Sequence, residues 1–220
     1  MKQNETAAVL MVLMAAACWG ANGIFINILT AYGVNGTAEL ADALQTVKGQ
    51  NIYLVAVVST CVDSLMAERY AATAQQTASG SAYTDGSGGW VDPYNTFTRT
   101  YLISLCKELR ELGFDEVAFS YLQQPLAAAE LKYADQTGSP SRTDAVVALA
   151  KYLRTSLSAT GLRVSAIVSA DSILQEKAKL SGQDMTVLPK LFDRVCVFAT
   201  ADNVASLRSV IAADSSFDAA

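Results

Sequence analysis

The 220-residue chain contains no histidine. That absence removes the serine–histidine triad, histidine-ligated zinc and the histidine general base, because each needs an imidazole. Cysteine is sparse. Cys18, Cys61, Cys106 and Cys196 form no C-x-x-C pair and no metal-ligand spacing, so they read as small apolar core side chains and no metal site is expected. No G-x-G-x-x-G or G-x-x-x-x-G-K-[ST] follows a candidate strand, which disfavours a nucleotide-binding fold; no cofactor is expected. Basic residues number 16 against 21 acidic ones and are scattered, so no basic patch exists to neutralise phosphates and a nucleic-acid partner is not expected. Any catalysis has to rest on carboxylates, Tyr, Lys, Ser or Cys.

What is present is apolar: 51% of residues are hydrophobic and 17% charged. The length suits one α/β domain with a sizeable core, and residues 1–220 are read as a single domain. Ala7–Ala17 (AAVLMVLMAAA) is an uninterrupted apolar run that supports two readings. As a buried parallel strand it opens the sheet. As a signal core, or a membrane anchor when extended through Thr30, it places the protein outside the cytoplasm or at a membrane; otherwise the protein is cytoplasmic.

Beyond it, helix and strand signals alternate. Thr37–Gly49 is amphipathic and ends in glycine, and Asn51–Thr60 (NIYLVAVVST) reads as a strand covered on both faces. Leu65–Gln76 is helix-competent, and Ser79–Gly89 is loop by composition. Pro93–Leu112 is a helix ended by Gly113, with Asp92 or Asn95 able to cap it, and Val117–Tyr121 a strand. Arg142–Thr160 is a helix, Leu162–Ser169 a strand, Ile173–Leu180 a short helix, Arg194–Thr200 the last strand and Val204–Ala213 the last helix. Such alternation implies a parallel sheet, either doubly wound or a barrel.

The stretch Gly89–Pro125 narrows the choice. Trp90, Asp92, Pro93, Tyr101, Glu108, the block Gly113-Phe114-Asp115-Glu116, then Phe119, Tyr121 and Pro125 resemble the signature of a family of glycoside-hydrolase-like domains built on the TIM barrel. Asp63 and Ala67-Glu68 upstream, and RVSAIVSAD with SGQDM downstream, extend the resemblance over Asn51–Asp202. It implies an α/β, TIM-barrel-like (β/α) repeat, here an incomplete barrel of five to six βα units. Five or six units leave two sheet edges unpaired, so the chain is expected either to form a homo-oligomer through them or to stay an open twisted sheet.

Barrel chemistry sits at the C-terminal ends of strands. The resemblance implies an acid before the strand-end tyrosine and an arginine two residues after it, where this chain has Ser120 and Gln123. Charged family positions align with Val57, Val62, Val12 and Met14. The carboxylates left at strand ends are Asp63 and Asp171, the candidate catalytic pair, because glycoside hydrolysis uses two carboxylates. Trp90, Ser120, Tyr121, Gln123 and Asp202 are candidate sugar contacts. Asp115 and Glu116 precede their strand and are expected to be structural. The expected function is a carbohydrate-binding or scaffold domain with impaired catalysis, its partner a polysaccharide or oligosaccharide. The alternatives are an active hydrolase using Asp63 and Asp171, and a membrane-tethered interaction protein.

Overall fold

The computed structural model describes residues 14–15, 44–46, 48–127, 130–133, 140–174 and 178–213. In chain order its elements are β1 (Met14–Ala15), β2 (Val55–Ser59), α1 (Ser64–Arg69), a 3-10 turn (Ala71–Thr73), β3 (Gln76–Thr77), β4 (Thr84–Asp85), β5 (Gly88–Gly89), α2 (Thr96–Glu111) and β6 (Glu116–Ser120). There follow β7 (Leu131–Lys132), α3 (Arg142–Leu157), β8 (Arg163–Ser169), α4 (Ala170–Ile173), α5 (Ala178–Ser181), α6 (Leu188–Leu191), β9 (Arg194–Phe198) and α7 (Val204–Ala213).

The main sheet has five parallel strands in the order β1-β2-β6-β8-β9. Their spatial order is their chain order. A doubly wound sheet reverses at a switch point, whereas a barrel adds each strand beside the last, so the winding here is of barrel type. Of the apolar run at 7–17, Met14–Ala15 pairs in parallel register with Ala56–Val57. The rest of 7–30, Val12 and Cys18 included, lies outside the described residues. Among the described residues no helix is long and apolar enough to cross a membrane.

The two faces of the sheet differ. On one face Ala56, Val117 and Val164 align across the strands, with Val58, Phe119 and Ala166 in the next layer. They join one core with Leu102, Leu105, Cys106 and Leu109 of α2 and Val146, Leu149, Leu153 and Leu157 of α3. The other face carries Val57, Ser59, Ala118, Ser120, Ser165, Ile167, Ser169 and Cys196, most of them only half-buried. β2 is thus not sealed on both faces as its composition suggests. Its residues alternate between full and partial burial, since among the described residues five parallel strands leave the other face without the strands that fill a closed barrel.

The helix boundaries follow their caps. The Asn95 side chain accepts from the Thr98 N–H, so α2 starts at Thr96 rather than Pro93, and Gly113 ends it at φ +95°. Ser141 and Asp144 form a reciprocal capping box on α3. Of the expected helices, Leu65–Gln76 leaves helical geometry at Tyr70 (φ −125°, ψ 73°), and of Ile173–Leu180 the structure describes the end of α4 at Ile173 and the start of α5 at Ala178, with 175–177 outside the described residues. The segment expected to be loop holds the β4–β5 hairpin, because Gly88 (φ +128°) permits a close approach to Ser64 that a Cβ would block at 2.5 Å from its hydroxyl. This excursion between β2 and α2 carries its own small core of Met66, Ala67, Ala74 and Val91.

Candidate functional site at the C-terminal ends of the strands

The ends of β2 and β6 are tied together beyond the ladder: the Thr60 N–H donates to the Ser120 carbonyl and the Cys61 N–H to the Tyr121 carbonyl. This pairing brings four expected site positions to one rim. Asp63 stands beyond β2, but its carboxylate accepts from the Met66 N–H (2.9 Å) as the cap of α1, and the residue is 7% exposed. Burial raises its pKa above the ordinary 3.8, partly offset by the Met66 and Leu65 amides. Asp171 is half-buried in the first turn of α4, which Ser169 caps. Its strand, β8, is separated from β2 by β6.

Tyr121 is the distinctive residue of the rim. It holds φ +50°, a left-handed backbone uncommon for a non-glycine residue, and 41% of it is exposed. Its ring meets Trp90 edge-on, with centroids 6.2 Å apart and planes at 87°. Trp90 itself is buried against the main core. The Ser120 hydroxyl donates to the Val58 carbonyl at 3.3 Å. The Gln123 backbone hydrogen-bonds the Cys61 thiol, whose pKa burial pushes up to about 12, a value that keeps it protonated and inert. Asp202 is exposed in the turn before α7, beyond β9. Trp90, Tyr121 and the Ser120–Gln123 stretch therefore stand together on one rim, while Asp171 and Asp202 stand at the ends of β8 and β9. Among the described residues no group of three acidic or cysteine side chains is placed to hold a metal ion.

Several residues of the same region carry no sequence signal. Gln75 pairs its backbone N–H with the Trp90 carbonyl and donates its side-chain amide to the Lys132 carbonyl (2.6 Å). Gln124, fully buried, accepts from the Tyr133 hydroxyl at 3.2 Å. Tyr133 stacks edge-on against Tyr94 at 5.5 Å, and burial raises its pKa to about 12. Arg142 of α3 ties this region down by donating to the carbonyls of Pro125, Ala127 and Leu180. Each glutamine sits beside another, Gln76 or Gln123, and nothing in the sequence marks it out; the pairing of β3 with β7 brings its partners to it.

The opposite end of the sheet holds the acids that precede strands. Asp115 accepts from the Leu54 N–H and pairs with Lys48; burial alone would raise its pKa, but these partners hold it below the usual carboxylate value. Glu116 is buried and accepts from Tyr53 and Ser165 while Arg194 lies at 3.2 Å. Both serve the scaffold at the N-terminal face.

Residues 27–199 match the model of a family described as "Putative glycosyl hydrolase domain". The chain belongs to this family. A hypothetical protein from Ruminiclostridium thermocellum is 26% identical over 58% of this chain and 64% of its own, with a TM-score of 0.50. The PgaB (BpsB) glycoside hydrolase domain from Bordetella bronchiseptica is 14% identical over 77% of this chain and 59% of its own, with a TM-score of 0.59, a likeness of fold. The chain thus spans less than two thirds of either structure. No curated protein matches it. The glycoside-hydrolase-like family and the barrel-type α/β fold stand on these matches together with the strand order.

Proposed function

We propose that the chain is a glycan-binding member of its family with catalysis impaired or lost. The observation that carries this reading is the use of Asp63: its carboxylate is engaged as a helix cap and removed from solvent. Ser120, at the position where the family resemblance implies an acid, has no carboxylate to offer and turns its hydroxyl back to Val58. The exposed, backbone-strained Tyr121 beside Trp90 supplies an aromatic surface of the kind that packs on sugar rings. A thermal-shift and product-release screen against a polysaccharide panel tests the reading. Stabilisation without product is the expected result; product release that vanishes in Asp63→Asn/Asp171→Asn overturns it.

One observation favours an active hydrolase instead. A buried carboxyl with a raised pKa is suited to general-acid work, and Asp63 has one. Asp171 would then act as base from two strands away, a separation of roughly 9–10 Å between strand axes, at the upper limit for an inverting pair. In that case Asp63→Asn lowers turnover by about 10²–10⁴ with glycan affinity retained.

A further inference from the structure

Among the described residues four buried polar side-chain atoms have no hydrogen-bond partner: Arg99 Nη2, whose guanidinium lies over the Tyr94 and Tyr152 rings, and three at the rim, the Trp90 indole N–H, Gln75 Oε1 and Gln124 Nε2. The three rim residues are 2%, 1% and 0% exposed, so bulk water does not serve them. Such atoms are rare in folded proteins because each has lost its hydration without compensation. Here the three at the rim cluster, and the cluster has a pattern. Each glutamine amide offers an NH2 group as donor and a carbonyl oxygen as acceptor. Gln75 spends its donor on the Lys132 carbonyl, and Gln124 spends its acceptor on the Tyr133 hydroxyl. Both bonds go to one strap, Leu131–Tyr133, leaving one acceptor and one donor over, with the Trp90 N–H as a second donor.

Among the described residues the strap's ladder with Gln76–Thr77 is two residues long, joined by the Ala78 N–H donating to the Glu130 carbonyl and the Tyr133–Tyr94 ring contact. Two-residue ladders of this kind open at low cost relative to the core.

We propose that the Leu131–Tyr133 strap closes over a binding site for an uncharged polyhydroxylated ligand, a neutral sugar unit, with Gln75, Gln124 and Trp90 as its polar contacts. The inference rests on the glycan-binding reading above and names the substrate class of that rim. A hydroxyl group both donates and accepts, so it answers one spare acceptor and two spare donors together. The three groups are neutral, so none of them rewards a carboxylate or ammonium on the ligand for its desolvation, and the Arg99 guanidinium nearby already donates to the Pro93 carbonyl and lies over two aromatic rings. The strap bonds use the halves of the amides that the sugar does not need, so closure and binding are compatible.

The test is calorimetric titration of the full chain with neutral hexamers of glucose, xylose and N-acetylglucosamine, set against hexagalacturonate and a glucosamine hexamer, alongside amide hydrogen exchange of residues 130–133. At least one neutral hexamer is expected to bind tenfold or more tightly than either charged one, and to slow exchange across the strap. Gln75→Met and Gln124→Met preserve side-chain length without the amide. Each is expected to weaken that binding about tenfold, with a melting temperature in the absence of sugar no more than a few degrees below wild type. Binding insensitive to both substitutions, equal binding of charged hexamers, or strap exchange unchanged by a bound sugar overturns this inference alone. If no hexamer binds the wild-type chain, the glycan-binding reading falls with it.

Discussion

Tyr121 combines two costs that a purely structural residue would avoid, a positive φ and an exposed ring at the rim. Left-handed backbone costs a side-chain-bearing residue roughly 1–2 kcal/mol, and the edge contact with Trp90 returns about 0.5–1.5 kcal/mol. Tyr121→Gly is therefore expected to leave unfolding free energy within about 1 kcal/mol of wild type in urea, while glycan affinity drops about tenfold. Asp63 gives a second prediction. Its raised pKa means that the folded chain holds this proton more tightly than the unfolded one, so its contribution favours folding at low pH and is lost as pH rises through the folded pKa. Asp63→Asn keeps a side-chain oxygen for the cap, so it should be at least as stable as wild type at pH 7 by thermal melting, with the advantage gone near pH 3.5. Asp63→Ala removes the cap and should cost about 1 kcal/mol. In the sequence Asp63 is visible as a strand-end acid; its use as a cap depends on α1 folding back at once, and one capping position looks like any other.

Caps and strand entries govern the elements. Asp115 receives the Leu54 N–H, and Asp193 receives the Val164 N–H and pairs with Arg154. For Asp193 too, burial opposes but the Val164 amide and Arg154 prevail, and both carboxyls sit below 3.8. A lowered folded pKa contributes stability above the unfolded value that disappears as pH falls through the folded one. Acid unfolding should therefore steepen below about pH 4, and Asp115→Asn/Asp193→Asn should flatten that limb in a pH series of chemical melts, with Asp63 acting in the opposite sense. Gly113 at φ +95° predicts a loss of about 1–2 kcal/mol for Gly113→Ala, measured by urea denaturation. Element existence was legible where periodicity and punctuation agree, as in α2 with Asn95 before it and Gly113 after it. The β4–β5 hairpin was not, because a glycine- and serine-rich run encodes permission for a turn and leaves its docking to Ser64, 25 residues away from Gly89. The Gln75–Lys132 and Gln124–Tyr133 contacts were illegible for the same reason: their partners lie 57 and 9 residues away on a strap with no pattern of its own.

At the scale of the molecule, five strands in chain order leave a half-covered concave face and an edge at β9. Phe198, on that edge, is 73% exposed, and Val204 and Val210 of α7 are exposed nearby in sequence. Open edges with apolar neighbours favour self-association. Phe198→Ser is expected to change monomer stability by less than about 0.5 kcal/mol and to shift light-scattering mass towards the monomer at high concentration. The parallel α/β character was readable from the alternation of strand and helix signals. The direction of winding was not, since helix-length connections serve doubly wound sheets and barrels alike, and only the neighbour list of each strand decides. That strand order has a bearing on how the chain is made. Within the main sheet every strand after β1 docks against one that has already left the ribosome, so that sheet can grow at a single advancing edge in the order of synthesis. No strand of it has to wait for a later one to be inserted between it and its neighbour, and at each stage the unfinished sheet exposes one growing edge.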